Sequence, residues 1–523
     1  MRKFFKKMLA AAITAGCLIM PVSSQVEAAV ERTPVTVTNA RWYPLYHIAP
    51  YAGWANDPNG FCVYKGEYHF FYQHYPYDTK WGPMHWGHVV SKDLVHWEHL
   101  PVALEPNSIY DASGNGGGCF SGSALEKDGK LYLMYTGHVD LPVLTPEGVD
   151  RIESQNIAIS DDGITFEKYA GNPVLYAPSN LGDIHGGDFR DPKMWKHGDT
   201  YYVVIGSKNK AGDRAQMLLF ESKDMLDWKF KSIMAYSQGN EGTMWECPNF
   251  AEIDGQEAII MSPIGMKPEG KKYLNFFQAG YMIGKMNYDT GVFTHGKFDT
   301  LDYGFDFYAP QVTQTPDGRC ILIGWLDMWD PPTGNIFSEY VDGWSCQMTV
   351  PRELHIKDGK IISVPVPELE SLRIAEKSYR NVNITKKTKL DGVRGETGEL
   401  LATIDTKSAK GFSIELRSGG NEKTVLSYDK SSGILKLNRD KAGGNVKGER
   451  EVKISGNKIN LQIFLDRSSI EIFVNGGEAV MSTRVYPKTT AQDIVFIPNG
   501  GTVNLENVTF YTLGEGIPQP VIK

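Results

Sequence analysis

Three short motifs, far apart in the chain, each place one carboxylate close to a proline. They are Trp54-Ala55-Asn56-Asp57-Pro58-Asn59-Gly60, Phe189-Arg190-Asp191-Pro192 and Trp245-Glu246-Cys247-Pro248. A single motif of this kind is most often a turn, because Asp and Asn beside Gly or Pro favour turns. Carboxylates that meet in one place are instead what cleavage of a glycosidic bond requires. The chemistry therefore depends on a fold that brings the three motifs together.

A repeat of hairpin signals predicts such a fold. Five segments place a glycine turn before a short β-rich run, which predicts a hairpin in each. The turn glycines are separated by 63, 69, 57 and 63 residues, and they are Gly66, Gly129, Gly198, Gly255 and Gly318. A second marker, Ser-x-Asp followed by an aromatic residue, begins at Ser91, Ser160 and Ser222. Two markers with one period indicate a supersecondary unit that is used several times.

These units predict a five-bladed β-propeller, since the runs are short and show no long helical period. Asp57, Asp191 and Glu246 lie 9, 7 and 9 residues before their turn glycines. Ser121 and Ala309 lie 8 and 9 residues before theirs. We therefore expect one motif per blade at one position of the innermost strand, and all three carboxylates in a single central funnel.

The C-terminal part of the chain has a different composition. All eleven tryptophans lie between Trp42 and Trp344. The runs after Arg352 alternate apolar and polar residues between Gly-Gly pairs, which is typical of an antiparallel β-sandwich. We predict a propeller over residues 40–365, a hinge near Pro365–Glu376 and a sandwich over residues 376–523.

The N-terminus has the pattern of a secretory signal. Basic residues at positions 2, 3, 6 and 7 precede an apolar run from Met8 to Met20, and small residues suitable for cleavage surround Ala28. We expect residues 1–28 to be removed and the protein to be extracellular. No later segment is long and apolar enough to span a membrane.

Charge and cysteine content narrow the possible partners. The formal net charge is −8, and removal of four basic and one acidic residue with the signal gives −8 − 3 = −11. An acidic chain is unsuited to binding nucleic acid or an anionic membrane, whereas a neutral sugar is a compatible ligand.

The five cysteines that remain after removal of the signal lack the spacing of disulfide or zinc sites, and His85 and His88 would point to opposite faces of a strand. We expect no metal and no cofactor. The oligomeric state is not predicted.

The motifs also match a known family. The match extends to Trp81–His88, Cys119–Ser123, Asp306–Gln311 and Asp466–Glu471, so that the chain resembles glycoside hydrolase family 32 from about Tyr46 to its end. The family comprises invertases, exo-inulinases, exo-levanases and sucrose-6-phosphate hydrolases. The resemblance implies an all-β chain, a five-bladed propeller followed by a β-sandwich, in agreement with the repeat.

The resemblance implies a role for each carboxylate. Asp57 resembles the nucleophile, Glu246 the general acid/base, and Asp191 the group that binds fructosyl hydroxyls and steadies the transition state. In such a mechanism Glu246 first donates a proton and later accepts one. A raised pKa would suit Glu246, and we expect the neighbouring Trp245 to reduce its solvation.

Further residues match the family's substrate pocket. Aromatic plates with a few convergent polar groups suit a sugar. The fructose pocket is matched by Asn56, Gln73, Trp81, Phe120, Ser121 and Arg190, and the aromatic walls by Trp54, Tyr308 and Trp325. Arg190 either binds substrate or orients Asp191. Trp325 is either a wall of the pocket or part of the core.

The expected function is a secreted, retaining β-fructofuranosidase that removes terminal fructose from sucrose and short fructans. An exo-levanase or exo-inulinase and a fructosyltransferase are the near alternatives. A non-catalytic fructan-binding protein and an inverting arabinosidase of a related propeller family are more distant. Sucrose 6-phosphate is disfavoured as a substrate. The predicted signal places the protein outside the cell, whereas that phosphate is usually added on uptake. The sequence departs from the family pattern at three places. Two of them, Ala55 and Asn249, are expected on the leaving-group side, and the Gly-rich loop Asp111–Gly118 is expected at the pocket entrance.

Overall fold

The computed structural model describes residues 32–112, 117–141, 150–329, 338–406, 408–454 and 456–522. The predicted signal, residues 1–28, and residues 113–116 of the loop Asp111–Gly118 lie outside the described residues. Strands predominate in the described part, and its helices are two short 3-10 turns, Ser338–Asp342 and Pro367–Leu372. A helix long and apolar enough to cross a membrane is absent from these ranges.

Five antiparallel sheets form the propeller, in agreement with the repeat. Blade 1 contains β1 (Gly53–Tyr64), β2 (Glu67–Tyr75), β3 (His85–Ser91) and β4 (Trp97–Leu104). Blade 2 contains β5 (Gly118–Lys127), β6 (Lys130–Asp140), β7 (Arg151–Ser160), β8 (Glu167–Lys168) and β9 (Leu175–Tyr176). Blade 3 contains β10 (Phe189–His197), β11 (Thr200–Lys208), β12 (Ala215–Ser222) and β13 (Lys229–Tyr236).

The last two blades complete the ring. Blade 4 contains β14 (Met244–Ile253), β15 (Gln256–Ile264), β16 (Gly280–Asn287), β17 (Val292–His295) and β18 (Asp299–Thr300). Blade 5 begins with β19 (Tyr308–Gln314) and β20 (Cys320–Trp325); the chain then forms β21 (Trp344–Ser345) before β22 (Arg352–Lys357) and β23 (Lys360–Pro365). Because β21 pairs in parallel with β1, the segment between β20 and β22 joins blade 5 to blade 1.

The innermost strands β1, β5, β10, β14 and β19 contact one another in a closed cycle around the axis. Each predicted turn glycine lies between the first two strands of its blade with a positive φ, from 56° at Gly198 to 89° at Gly318. A Cβ atom would meet nothing within 4 Å at any of the five. These glycines are therefore needed for their backbone conformation and not for space.

Two sheets form the C-terminal β-sandwich. Its strands are β24 (Arg373–Ile384), β25 (Gly398–Asp405), β26 (Gly411–Gly419), β27 (Glu422–Asp429), β28 (Ile434–Lys441), β29 (Glu449–Lys453), β30 (Lys458–Asp466), β31 (Ser469–Val474), β32 (Ala479–Arg484), β33 (Asp493–Asn499) and β34 (Val503–Leu513). One sheet has the order β24-β34-β25-β30-β31-β32, and the other has β29-β28-β27-β26-β33. Apolar side chains of both sheets fill one core between them.

A buried ionic network joins the sandwich to the propeller, and both belong to one packed unit, Pro34–Lys523. His47 lies between Asp466, at 2.8 Å, and Glu471, at 3.0 Å. Arg352 binds Glu471 at 2.5 Å and Asp302 at 3.0 Å. All five side chains are completely buried, so that the segment Asp466–Glu471 serves to dock the two domains.

Candidate active site

Every innermost strand carries a β-bulge near its start, and the carboxylates lie at these bulges. Regular pairing is interrupted after Ala55, Phe120, Arg190, Glu246 and Tyr308. Asp57 and Asp191 lie within their bulges, whereas Glu246 still pairs with Ser262. Asp57 is the second residue of its bulge, Asp191 is the first residue of its own, and Glu246 precedes its bulge, so the expectation of one equivalent position for the three carboxylates is wrong. Cys247, with φ of 47°, follows Glu246 and occupies the bulge.

The Asp57 carboxylate is half-buried and is held by neutral donors. Its Oδ1 accepts a hydrogen bond from Asn56 Nδ2 at 3.1 Å, and its Oδ2 accepts one from Ser121 Oγ at 2.9 Å. The Cys247 thiol lies 3.6 Å from the same Oδ2. Desolvation and the charge of Glu246 raise the Asp57 pKa to about 6, although these donors oppose the shift.

Asp191 is buried beside the same thiol. Its Oδ2 accepts a hydrogen bond from the Cys247 backbone N–H at 2.9 Å and lies 3.7 Å from Cys247 Sγ. Burial, and then the charge of Glu246, raises the pKa of Asp191 above its ordinary value, while Arg190 opposes the shift. Cys247 therefore contacts two of the three carboxylates. Cys247 lies inside the third motif, but the sequence analysis assigned it no role in the site.

Glu246 has ionic and hydroxyl partners. Its Oε1 accepts hydrogen bonds from Arg190 Nε at 3.0 Å and Nη2 at 2.9 Å, and its Oε2 accepts one from the Tyr308 hydroxyl at 2.6 Å. The Trp245 side chain instead packs in the core between blades 3 and 4. Adjacent residues of a strand point to opposite faces, so the expectation that Trp245 reduces the solvation of Glu246 is wrong.

Arg190 binds Glu246 and not Asp191. Its Nη1 also donates to Asp188 at 2.9 Å and to Glu153 at 3.3 Å. The proposed orientation of Asp191 by Arg190 is therefore wrong. Glu153 was missed from the sequence because it lies on β7, outside the three motifs. Asp188, which directly precedes the second motif, is likewise absent from the residues predicted from the sequence.

The residues matched to the fructose pocket cluster around Asp57. Phe120 stacks on His138 with ring centroids 4.2 Å apart, and Trp81, 44% exposed, meets Phe120 edge-on at 6.1 Å. Gln73 is buried and donates to the Cys119 carbonyl at 2.9 Å, which fixes the start of β5. Asn56 and Ser121 hold Asp57 itself. Contact of these residues with a sugar stays a prediction.

Most of the predicted aromatic wall is covered. Trp54 and Trp325 are 1% and 0% exposed, and both pack against Trp329, at 5.8 Å and 5.1 Å between ring centroids. Trp54 donates to Asn56 Oδ1 at 2.8 Å and so supports the residue beside Asp57. Tyr308 is buried and reaches the site through its hydroxyl. Trp329, which sequence reasoning missed, is the partly exposed member of the tryptophan layer.

The histidine pair of the sequence is separated in space. His88 lies 3.0 Å from His69, while His85 Nδ1 lies 2.9 Å from the Pro83 carbonyl. Within the described ranges, we find no group of three or more His, Cys, Asp or Glu side chains arranged to hold a metal ion.

Comparison with known proteins identifies the family. Residues 47–365 match the N-terminal domain of glycosyl hydrolases family 32, and residues 368–512 match the C-terminal domain of that family. The chain belongs to glycoside hydrolase family 32. It is accordingly a glycoside hydrolase, and the predicted propeller and sandwich are confirmed.

Relatives of this family 32 enzyme align along most of their length. It is 39% identical to a sucrose-6-phosphate hydrolase of Escherichia coli over 90% of this chain and 95% of the relative. It is 38% identical to a raffinose invertase of Escherichia coli over 94% of this chain and 99% of the relative. A solved GH32 beta-fructofuranosidase of Bombyx mori superposes with a TM-score of 0.79 and 38% identity, covering 92% of this chain and 96% of that one.

Proposed function

We propose that this enzyme is a retaining β-fructofuranosidase that removes the terminal, non-reducing fructosyl unit of sucrose and short fructans. The observation that carries the proposal is the convergence of Asp57, Asp191 and Glu246 at the bulges of one funnel. A mutant of the Bombyx mori relative has been solved in complex with sucrose, which supports this substrate.

Asp57 acts as the nucleophile on the anomeric carbon of fructose. Ser121, Asn56 and Cys247 fix its carboxylate without neutralising it, so the full negative charge faces the oxocarbenium-like transition state. A pKa of about 6 leaves Asp57 ionised at neutral pH. Attack forms the C–O bond of a fructosyl ester while the bond to the leaving-group oxygen breaks.

Glu246 gives a proton to that oxygen and later takes one from water. Arg190 and Tyr308 hold the carboxylate in place for both steps. Asp191 faces the same funnel and binds the fructosyl hydroxyls.

A product time course on sucrose, inulin, levan and an arabinoside panel tests this proposal. We expect fructose from sucrose, released first as the β-anomer, as seen by NMR during the first turnovers. Release of the α-anomer would indicate inversion. A folded protein without turnover on any of these substrates would indicate a non-catalytic sugar-binding protein, and transfer of fructose to sucrose a fructosyltransferase.

Sucrose 6-phosphate is a second candidate substrate. Relatives named sucrose-6-phosphate hydrolase include that of Escherichia coli and one of Bacillus subtilis, 36% identical over 84% of this chain. The ratio of kcat/KM for sucrose to that for sucrose 6-phosphate decides between the two. A ratio below one would make the phosphorylated sugar the substrate.

We further propose that the enzyme is secreted. Support comes from the basic residues, apolar run and small residues at the N-terminus. Fractionation of the producing cells and N-terminal sequencing test this. We expect extracellular protein that begins at Ala29, and activity confined to the cytoplasm with an intact Met1 would contradict secretion.

A further inference from the structure

A buried histidine on β6, His138, lies between two carboxylates close to the pocket residues. Its Nδ1 lies 3.1 Å from Glu153 Oε1, and its Nε2 lies 3.0 Å from Asp140 Oδ1. Glu153 is directly opposite His138 on β7, so the strand register keeps the two side chains together. The His138 ring also stacks on Phe120, with the two planes 10° apart. None of the catalytic steps proposed above uses His138.

Both ring nitrogens of His138 act as donors in this arrangement. An ionised carboxylate accepts hydrogen bonds but cannot donate one. The two carboxylates therefore require a proton on each ring nitrogen, so the imidazole carries a positive charge. Asp140 is the outer partner, with a side chain that is 54% exposed, and Glu153 is the inner one, at 2%. The charge of His138 thus acts on a carboxylate that has almost no contact with water.

Glu153 connects His138 to the proposed proton donor through Arg190. Arg190 Nη1 lies 3.3 Å from Glu153 Oε2, whereas Arg190 Nη2 lies 2.9 Å from Glu246 Oε1. Burial would raise the pKa of Glu153, but Arg190 and then His138 lower it below its ordinary value. Two ionised side chains, Glu153 and Glu246, therefore attract the same guanidinium, and Glu246 has the closer contact.

Glu153 is the carboxylate of this group that depends on His138. Among the residues that the structure describes, the cations that contact Glu153 are Arg190 and His138. Asp188, the third carboxylate at Arg190, has two further cations of its own, at 3.4 Å and 3.7 Å, and they are Lys208 and Arg151. Without the charge of His138, Glu153 would have Arg190 as its counter-charge and would draw it away from Glu246.

We propose that His138 is a positioning residue for the acid/base step. Its positive charge satisfies Glu153, so that Arg190 stays with Glu246 and holds that carboxylate toward the leaving-group oxygen. His138 acts through Glu153 and Arg190 and not on the substrate. The inference rests on the proposed β-fructofuranosidase mechanism, in which Glu246 transfers the proton.

Replacement of His138 by a neutral residue tests the inference. In His138→Gln, Glu153 loses one of its two cations, and Arg190 moves toward it. We expect kcat/KM on sucrose to fall by about 10- to 100-fold, as for a misplaced catalytic group. On a fructoside with a strongly acidic leaving group, kcat/KM should fall by less than about twofold, because that leaving group needs no proton. Equal losses on the two substrates would overturn the inference.

A second substitution separates the charge of His138 from its packing. Glu153→Gln removes the carboxylate that competes for Arg190, so His138→Gln should cost little in its presence. We expect the double variant to recover activity on sucrose to within about threefold of Glu153→Gln alone. A histidine needed only for packing would give additive losses instead. A double variant that is no more active than His138→Gln would therefore overturn the inference.

His96→Gln is the matched control. His96 Nδ1 also pairs with a carboxylate, Asp93, at 2.7 Å, but this pair is exposed and lies in the turn between β3 and β4. The substitution should leave kcat/KM unchanged on both substrates. A loss on sucrose as large as that of His138→Gln would show that the effect does not depend on Glu153, and would also overturn the inference.

Two measurements without turnover separate this inference from the proposed activity. Nitrogen-15 NMR of the histidine-labelled, unmodified protein should show a proton on both ring nitrogens of His138 at neutral pH, and a neutral ring would overturn the inference. This measurement needs no substitution, so misfolding of His138→Gln, seen by circular dichroism, leaves it to decide.

A crystal structure of His138→Gln is the second measurement. The separation of Arg190 Nη2 from Glu246 Oε1, 2.9 Å in the unmodified protein, should exceed hydrogen-bond distance, about 3.5 Å. An unchanged contact would overturn the inference. Failure of the unmodified enzyme to cleave sucrose would defeat the proposed function alone, because neither measurement depends on a substrate.

Discussion

Two clusters of buried carboxylates occupy this molecule, one at the funnel of the propeller and one at the junction with the sandwich. At the junction, His47 lies between Asp466 and Glu471, and Arg352 binds Glu471; burial opposes these cations, which nevertheless lower the pKa of both carboxyls, whereas burial raises the pKa of Asp302. In the funnel, Asp57 and Asp191 are held by neutral hydroxyl, amide and thiol groups, and both pKa values are raised. The same side-chain type is therefore used in two opposite electrostatic settings.

The difference separates stability from reactivity. A buried carboxylate with a matched cation keeps its charge because the cation offsets part of the desolvation cost, and removal of either partner leaves the other unpaired. An ionised carboxylate that has only neutral donors destabilises the folded protein. Its negative charge is not neutralised, so it can stabilise a positive charge that develops on the substrate. Arg190 marks the boundary, because it forms ion pairs with Glu246, Glu153 and Asp188, whereas Asp57 has no cation among its hydrogen-bond donors.

The largest effect is expected for Asp57→Asn. Loss of the nucleophile should lower kcat on sucrose by roughly four orders of magnitude or more. Loss of a desolvated charge should also stabilise the folded protein at pH 7, which is opposite in sign to a substitution at the junction. Turnover and the midpoint of urea unfolding measure the two effects. Normal turnover by a folded Asp57→Asn protein would remove Asp57 from its role.

Glu246→Ala should have the next largest effect. Cleavage of sucrose should fall by about 10²–10⁴-fold, because the leaving oxygen is no longer protonated. A fructoside with a strongly acidic leaving group should be spared in the first step. Azide should then restore turnover and give a fructosyl azide of retained configuration. Equal loss on both substrates, without rescue by azide, would argue against proton transfer by Glu246.

At the junction, Glu471→Gln should change stability and not chemistry. It removes one of the two buried counter-charges of both Arg352 and His47, so the free energy of unfolding should fall by about 3–5 kcal/mol. The kcat of the folded protein should stay the same. Glu506→Gln is the control, because the Glu506–Lys458 pair, at 2.7 Å, is partly exposed and screened by solvent, so its loss should change stability much less. Equal effects of the two substitutions would contradict a docking role for the network.

The dependence of stability on pH also distinguishes the junction from the funnel. Burial alone would lower the pKa of His47, but Asp466 and Glu471 raise it from 6.5 to about 9. A raised pKa gives stability that is complete below 6.5 and is lost as the pH rises through 9. The free energy of unfolding should therefore fall by up to about 3 kcal/mol across that window. His47→Gln should reduce this slope, and a slope that is unchanged in the variant would exclude His47 as a source, because the raised pKa of Asp191 contributes a fall of the same sign.

The smallest effect concerns Cys247. Activity on sucrose should fall as the pH drops through about 6, because the nucleophile Asp57 is then protonated. The Cys247 thiol is one of the groups that lower the Asp57 pKa, so Cys247→Ala should move this acid limb to higher pH, by less than about one unit. Pre-steady-state kinetics of ester formation against pH would measure the shift. A shift to lower pH would contradict the assigned contact.

The repeat of turn glycines was enough to predict the propeller and the meeting of the three carboxylates. Each such turn is local, since a positive φ at Gly66 or Gly318 can be predicted from the residues beside it. The conformation of the bulges, in contrast, cannot be predicted from the residues beside them. Cys247 and Asp191 take positive φ where neighbouring strands crowd around the axis, so the different positions of Asp57, Asp191 and Glu246 relative to their bulges could not be predicted from spacing.

Contacts between distant segments account for the other differences. Glu153 reaches Arg190 from another blade, and Trp329 follows β20 without a hairpin signal beside it. The wrong expectation for Trp245 has a simpler cause, because strand alternation alone predicts that its side chain points away from Glu246. The Asp466–Glu471 segment was matched to the family, but its burial against His47 depends on partners more than 400 residues earlier in the chain.

The pairing of β21 with β1 sets the order in which this enzyme can assemble. Trp344 lies beside Gly53, so the strand that carries Asp57 acquires its closing neighbour from 344 − 53 = 291 residues further along the chain. Contacts between residues so far apart in the sequence form late and slowly in folding. A nascent chain that already contains Asp57, Asp191 and Glu246 still has an open ring. The catalytic funnel is therefore completed only after nearly all of the propeller has been synthesised.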